Sequence, residues 1–142
     1  MEREKSSSLF TLSEFKVALF KLPNGKSPGS DGLTTEFYKT FWDVLANDLL
    51  EVFTSSYKSG LLTKSQRTAT IKCLPKKGDI TDIRNWRPIS LLNVDYKILS
   101  KALSLRLFEF FLTVISEEQT CSLKARKISH NLSTVRNCVS IA

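Results

Sequence analysis

Three cations frame one short loop. Lys76 and Lys77 stand together in "LPKKGD", and Arg87 follows ten residues later in "NWRPIS". A lysine offers a compact point charge and an arginine a planar fork of donors, so the combination suits a triphosphate or a nucleic-acid backbone. A second chemistry-bearing stretch is "GKSPGSDG", where Lys26 and Asp31 sit among three glycines and a proline. Such a loop turns sharply and lets its backbone approach another molecule closely.

Other chemistries have less to work with. His130 is the only histidine, and no nucleophile motif accompanies it, which argues against a Ser-His-Asp type triad. Cys73, Cys121 and Cys138 are odd in number and widely spaced, unlike a disulfide framework or a zinc pair. Asp79 and Asp82, and Glu117 and Glu118, read as solvated charges in a loop and at a helix end.

The charge is unevenly distributed. The 142 residues carry 21 basic and 14 acidic side chains, for a net charge of +7. Residues 58 to 106 alone hold 11 basic and 3 acidic groups, whereas residues 1 to 57 are slightly acidic. A basic block of this kind invites polyanions. With 42% hydrophobic and 25% charged residues the composition matches an ordinary folded chain, neither disordered nor collagen-like. No apolar run is long enough for a spanning helix, and "MEREKSSS" lacks the apolar stretch of a secretory signal, so the expectation is an intracellular, nuclear or cytoplasmic protein with no membrane partner.

The elements that must position these groups follow from periodicity. Thr11 with Glu14 forms a capping box for a first helix whose Phe15, Ala18, Leu19 and Leu22 share one face. Pro23, Asn24 and Gly25 end it. A second helix is predicted from Thr35 to Lys58, with Phe37, Phe41, Leu45, Leu49 and Phe53 as a core stripe broadened by Trp42 and Val52, and Gly60 as its stop. "TATIKCL" alternates as a strand, and Pro88 holds Arg87 extended, so "KKGDITDIRN" becomes the loop of a hairpin with cations at its tip and return. Asp95 caps a long third helix carrying Ile98, Leu99, Ala102, Leu103, Leu107, Phe110, Phe111, Val114 and Ile115, and a last amphipathic segment includes Leu132, Val135, Cys138 and Val139. The fold class expected is α+β, helices packed around a β-hairpin, with residues 1–10 a disordered tail and residues 11–142 one domain.

"GKSPGSDGLTTEFYKTFW", "IKCLPKKGDITDIRNWRPISLLNVDYKILSKALSLRL" and "SEEQT", in this order, closely resemble the amino-terminal half of a LINE-type non-LTR retrotransposon reverse transcriptase. The resemblance covers about residues 11 to 137. It implies a fingers subdomain with an incomplete palm, in which Lys76, Lys77 and Arg87 hold the phosphates of a deoxynucleoside triphosphate, and Lys26, Gly29, Asp31 and Gly32 lie along the template. Trp86, Pro88, Gln119 and Arg126 match further family-motif positions, whereas Cys121, Ser122, Ala125 and His130 depart from the family pattern. The family's metal-binding palm aspartates, including a Tyr/Phe-Ala-Asp-Asp turn, have no match here. The resemblance therefore implies a truncated reverse transcriptase domain whose partners are RNA, DNA, the nucleotide and the missing palm. It would have no cofactor of its own, magnesium being expected in the full-length parent, and no polymerase activity alone. The alternatives are a co-opted, non-enzymatic basic nucleic-acid-binding module and a non-functional transposon relic.

Overall fold

In the computed structural model the described residues are 10–115 together with 127, 129, 132, 133, 136 and 137. The chain divides into a unit through Arg106 and a second from Leu107 onward.

The first unit opens with α1 (Leu12–Phe20), and its start is the expected capping box. Glu14 N–H donates to Thr11 Oγ1 at 3.4 Å, and Thr11 N–H donates back to Glu14 Oε2 at 2.8 Å. Phe15, Ala18 and Leu19 are fully buried, as the spacing requires. Phe10, expected at the end of a tail, instead sets its ring 5.1 Å from that of Phe15 and beneath the Arg106 guanidinium at 4.0 Å.

The single helix expected from Thr35 to Lys58 is two: α2 (Thr35–Thr40), capped by Thr34, and α3 (Trp42–Ser59), ended by Gly60 in the left-handed conformation. Between them Phe41 takes φ −98° and ψ 19°, and this break turns the stripe. Tyr38, Trp42, Ala46 and Phe53 become the buried face, while Phe41 and Val52 are exposed, contrary to their assignment to the core.

Strands β1 (Ala69–Pro75) and β2 (Trp86–Leu92) form an antiparallel ribbon from Ala69↔Leu92 to Pro75↔Trp86. Its loop contains a 3-10 turn, Ile83–Asn85. Helix α4 (Val94–Val114) follows after the single residue Asn93. It starts one residue before the expected Asp95 cap: Lys97 N–H donates to Asn93 O at 3.2 Å, and Asp95 Oδ1 accepts from Tyr96 N–H at 2.7 Å. Asp95 thus lies in the first turn, where its charge favours the helix dipole.

Val94, Ile98 and Ala102, four residues apart, carry the buried stripe of α4 into one core with Phe15, Leu19, Trp42 and Phe53. Leu103, Leu107, Phe111 and Val114, expected on the apolar face, are substantially exposed because they lie on a neighbouring stripe. In the second unit, Ile115 N–H donates to Phe111 O at 2.9 Å, and residues 129, 132, 133, 136 and 137 are helical. Ser133 Oγ donates to Ser129 O at 2.9 Å. Gln119, Cys121, Ser122, Ala125, Arg126, His130 and Cys138 lie outside the described residues. The observed class is α+β, as expected.

Candidate nucleic-acid and phosphate interface

The ribbon decides which cations share a face. Cross-strand partners point to the same side, and sides alternate along each strand. Leu74↔Arg87 and Lys72↔Ile89 therefore place Arg87 on the side of Lys72. The ladder runs one step past the strands, since Lys76 N–H donates to Asn85 O at 2.6 Å, so Lys76 continues the same side. Its ammonium donates to Arg84 O at 3.2 Å. Lys77 lies beyond the ladder, in the bend with Gly78 at φ +126°, and is exposed at the tip. Lys76 and Arg87 are thus brought to one face and Lys77 is not. Lys72 joins that face unanticipated, although its spacing from Lys76 in "KCLPK" carried the signal.

The hairpin loop is ordered by its own polar groups. Asp79 Oδ1 accepts from Thr81 N–H at 2.9 Å and from its hydroxyl at 2.7 Å, which holds the Asp79 carboxyl below the usual range. Asp82 caps the 3-10 turn through Arg84 N–H and pairs with the Arg84 guanidinium at 2.7 Å, and that guanidinium lowers its carboxyl in turn. Asn85 Nδ2 donates to Asp79 O, and Trp86 Nε1 donates to Ile80 O at 2.9 Å. Asp82 is a cap and Asp79 orders the turn to Thr81, so both aspartates are structural rather than merely solvated charges. Trp86 and Pro88 occupy the other side of the ribbon, opposite Pro75 and Cys73.

The glycine loop is built as tightly. Gly32, at φ +75°, closes a turn by donating its N–H to Gly29 O at 3.3 Å, and Asp31 Oδ1 accepts from Leu33 N–H at 3.0 Å, the loop-ordering use of that carboxylate. Upstream, Gly25 N–H donates to Glu36 Oε1 and lowers that carboxyl, and Lys39 Nζ donates to Leu22 O at 2.8 Å and Asn24 Oδ1 at 2.6 Å. Lys26 is exposed. Burial, followed by the charges of Asp95 and Asp31, pushes the Tyr38 phenol up to about 12.

Sequence reasoning missed the residue joining loop and ribbon. Asn93 is buried directly after β2, and a Cβ added to Gly29 would meet its Oδ1 at 2.0 Å and its backbone N at 2.5 Å. Ser30 Oγ donates to Asn93 Oδ1 at 3.4 Å, and Asn93 Nδ2 donates to Ser65 Oγ at 2.9 Å. Among the described residues no three His, Cys, Asp or Glu side chains cluster as a metal site.

Comparison with known proteins places the chain beside mobile-element proteins. It is 44% identical over 140 residues to the transposon TX1 uncharacterized 149 kDa protein of Xenopus laevis, an alignment covering 99% of this chain and 11% of that protein. It is 34% identical over 101 residues to the RNA-directed DNA polymerase from mobile element jockey of Drosophila melanogaster, covering 70% of this chain and 11% of that protein. The chain thus spans about a tenth of the length of these curated relatives. No family model matches it.

Proposed function

From its homology to a transposon protein and to the RNA-directed DNA polymerase of a mobile element, consistent with a LINE-type non-LTR retrotransposon reverse transcriptase region, we propose that this chain is the fingers-like part of such an enzyme. In this reading it holds template nucleic acid and the phosphates of an incoming deoxynucleoside triphosphate. The observation carrying the nucleotide half is the ribbon register, which aligns Lys72, Lys76 and Arg87 on one exposed side with Lys77 at the tip. An ammonium row beside a guanidinium fork matches a chain of phosphate oxygens. The glycine loop, with Lys26 exposed at one end and the turn Gly29 to Gly32 at the other, supplies a backbone surface for the template.

Template-directed DNA synthesis and its magnesium requirement belong, in this proposal, to the parent polymerase. Two metal ions there would stabilise the attacking and leaving oxygens, held by palm aspartates of the parent enzyme. These residues bind and orient; alone they bind without polymerising. The test is triphosphate affinity of the chain and of Lys77→Glu/Arg87→Glu. The reading requires the double variant to lose binding while retaining its circular dichroism, and unchanged affinity would refute it.

The basic block over residues 58 to 106 also favours a non-enzymatic nucleic-acid-binding module. That module would bind oligonucleotides with a steep salt dependence and ignore triphosphates.

A further inference from the structure

We infer that Asn93 is the positioning residue of the glycine loop, holding residues 27–30 in the shape that meets nucleic acid; this deepens the template reading above and rests on it. Asn93 is 1% exposed. Its amide spends both ends: the oxygen accepts from Ser30 Oγ at 3.4 Å, and the nitrogen donates to Ser65 O at 3.4 Å and Ser65 Oγ at 2.9 Å.

The loop lies directly on this residue. A Cβ at Gly29 would fall 2.0 Å from Asn93 Oδ1, 2.5 Å from its N and 2.7 Å from its Cα, so only a residue without a side chain lets the two backbones touch. One helical turn on, Lys97 Nζ donates to Ser27 O at 3.4 Å. Three nearby loop positions, 27, 29 and 30, are thereby strapped across the first turn of α4, next to the exposed Lys26.

The same residue closes the stem of the ribbon. Asn93 follows Leu92, the partner of Ala69, and its bond to Ser65 bridges the segments entering and leaving the hairpin. A buried side-chain amide satisfies both strands of this junction, whereas an apolar replacement leaves Ser30 and Ser65 without it. Asn93 thereby touches both the loop on which Lys26 sits and the stem of the ribbon on which Arg87 sits, with Lys97 as a second strap on the loop.

The test is a double-mutant cycle on the full chain with a single-stranded RNA oligonucleotide as probe, read as affinity against salt and as amide hydrogen exchange. Lys26→Ala should weaken binding and lower the salt slope by about 0.7, one phosphate contact on a single strand. In an Asn93→Ala background the same Lys26→Ala change should have little further effect, because the loop no longer presents the lysine. Exchange should rise at the amides of Gly32 and Leu33 while β1 and β2 keep their protection. Gly29→Ala, which forces the loop off Asn93, should give the same cycle and stands in should Asn93→Ala unfold. Additive losses, or exchange that rises throughout the chain in both variants, overturn the positioning role and leave the template reading intact. No effect of Lys26→Ala in the parent chain overturns the template reading and this inference with it.

Discussion

The Arg106 guanidinium grips the Glu14 carboxylate at two points, Nε to Oε1 at 2.6 Å and Nη2 to Oε2 at 2.8 Å, and so ties α4 to the first turn of α1. The same carboxylate completes the capping box with Thr11. These donors, Arg106 foremost, lower the Glu14 carboxyl to about 2.

A carboxyl depressed in the fold stabilises it above the ordinary carboxylate range and stops doing so as pH falls through the folded value. Stability should therefore decline between pH about 4.5 and about 2 as Glu14 takes up its proton. With the Glu14 side chain 34% exposed, screening reduces the contribution to about 1–2 kcal/mol. Urea unfolding of Glu14→Gln should show that loss at pH 7 and a flatter acid limb than the parent.

Phe53 is 3% exposed, and its ring centroid lies 4.8 Å from that of Phe15, joining α3 to α1. Phe53→Ala should cost about 3–5 kcal/mol. Ile98→Ala, at a fully buried position on α4, should cost about 2–5 kcal/mol. Phe41→Ala, at the exposed break between α2 and α3, should cost much less. Chemical denaturation midpoints order the three.

Two arginines close together in the hairpin should behave oppositely. Arg84 is committed to Asp82, whereas Arg87 stands on the face with Lys72 and Lys76. Arg87→Ala should weaken triphosphate binding by on the order of tenfold, the worth of one charge-assisted hydrogen bond. Arg84→Ala should leave that affinity nearly unchanged and loosen the loop instead. Equilibrium titration with a deoxynucleoside triphosphate separates the two.

The Trp86 indole N–H reaches Ile80 O at 2.9 Å and pins the loop to the ribbon. Trp86→Phe removes this bond but keeps an aromatic body, so global stability should fall by about 1 kcal/mol. Amide exchange within residues 79–85 should quicken first.

Local grammar was readable in the chain. Thr11 and Glu14 announced α1, Gly60 announced the end of α3, and the Pro-Lys-Lys-Gly and Trp-Arg-Pro segments announced a hairpin, because each signal acts over a few residues. Contacts between distant positions were not. Asn93 looks like a linker residue, and its role emerges only when Ser30 and Ser65 arrive, 63 and 28 residues away. The break at Phe41 is likewise unmarked by proline or glycine, and it moved the buried stripe to Trp42, Ala46 and Phe53. Of the candidate site, the cations were legible by type, and their shared face required the ladder. The Arg84 and Asp82 pairing needed the 3-10 turn that brings them together.

The ribbon buries little along its whole length, with Ile71 66% and Ile89 41% exposed. Having so few apolar contacts to surrender, it should open at a lower free energy than the helices and detach as a separate foldon. A polyanion bridging both strands would then act as a brace, raising the opening cost of the ribbon far more than that of the helical core.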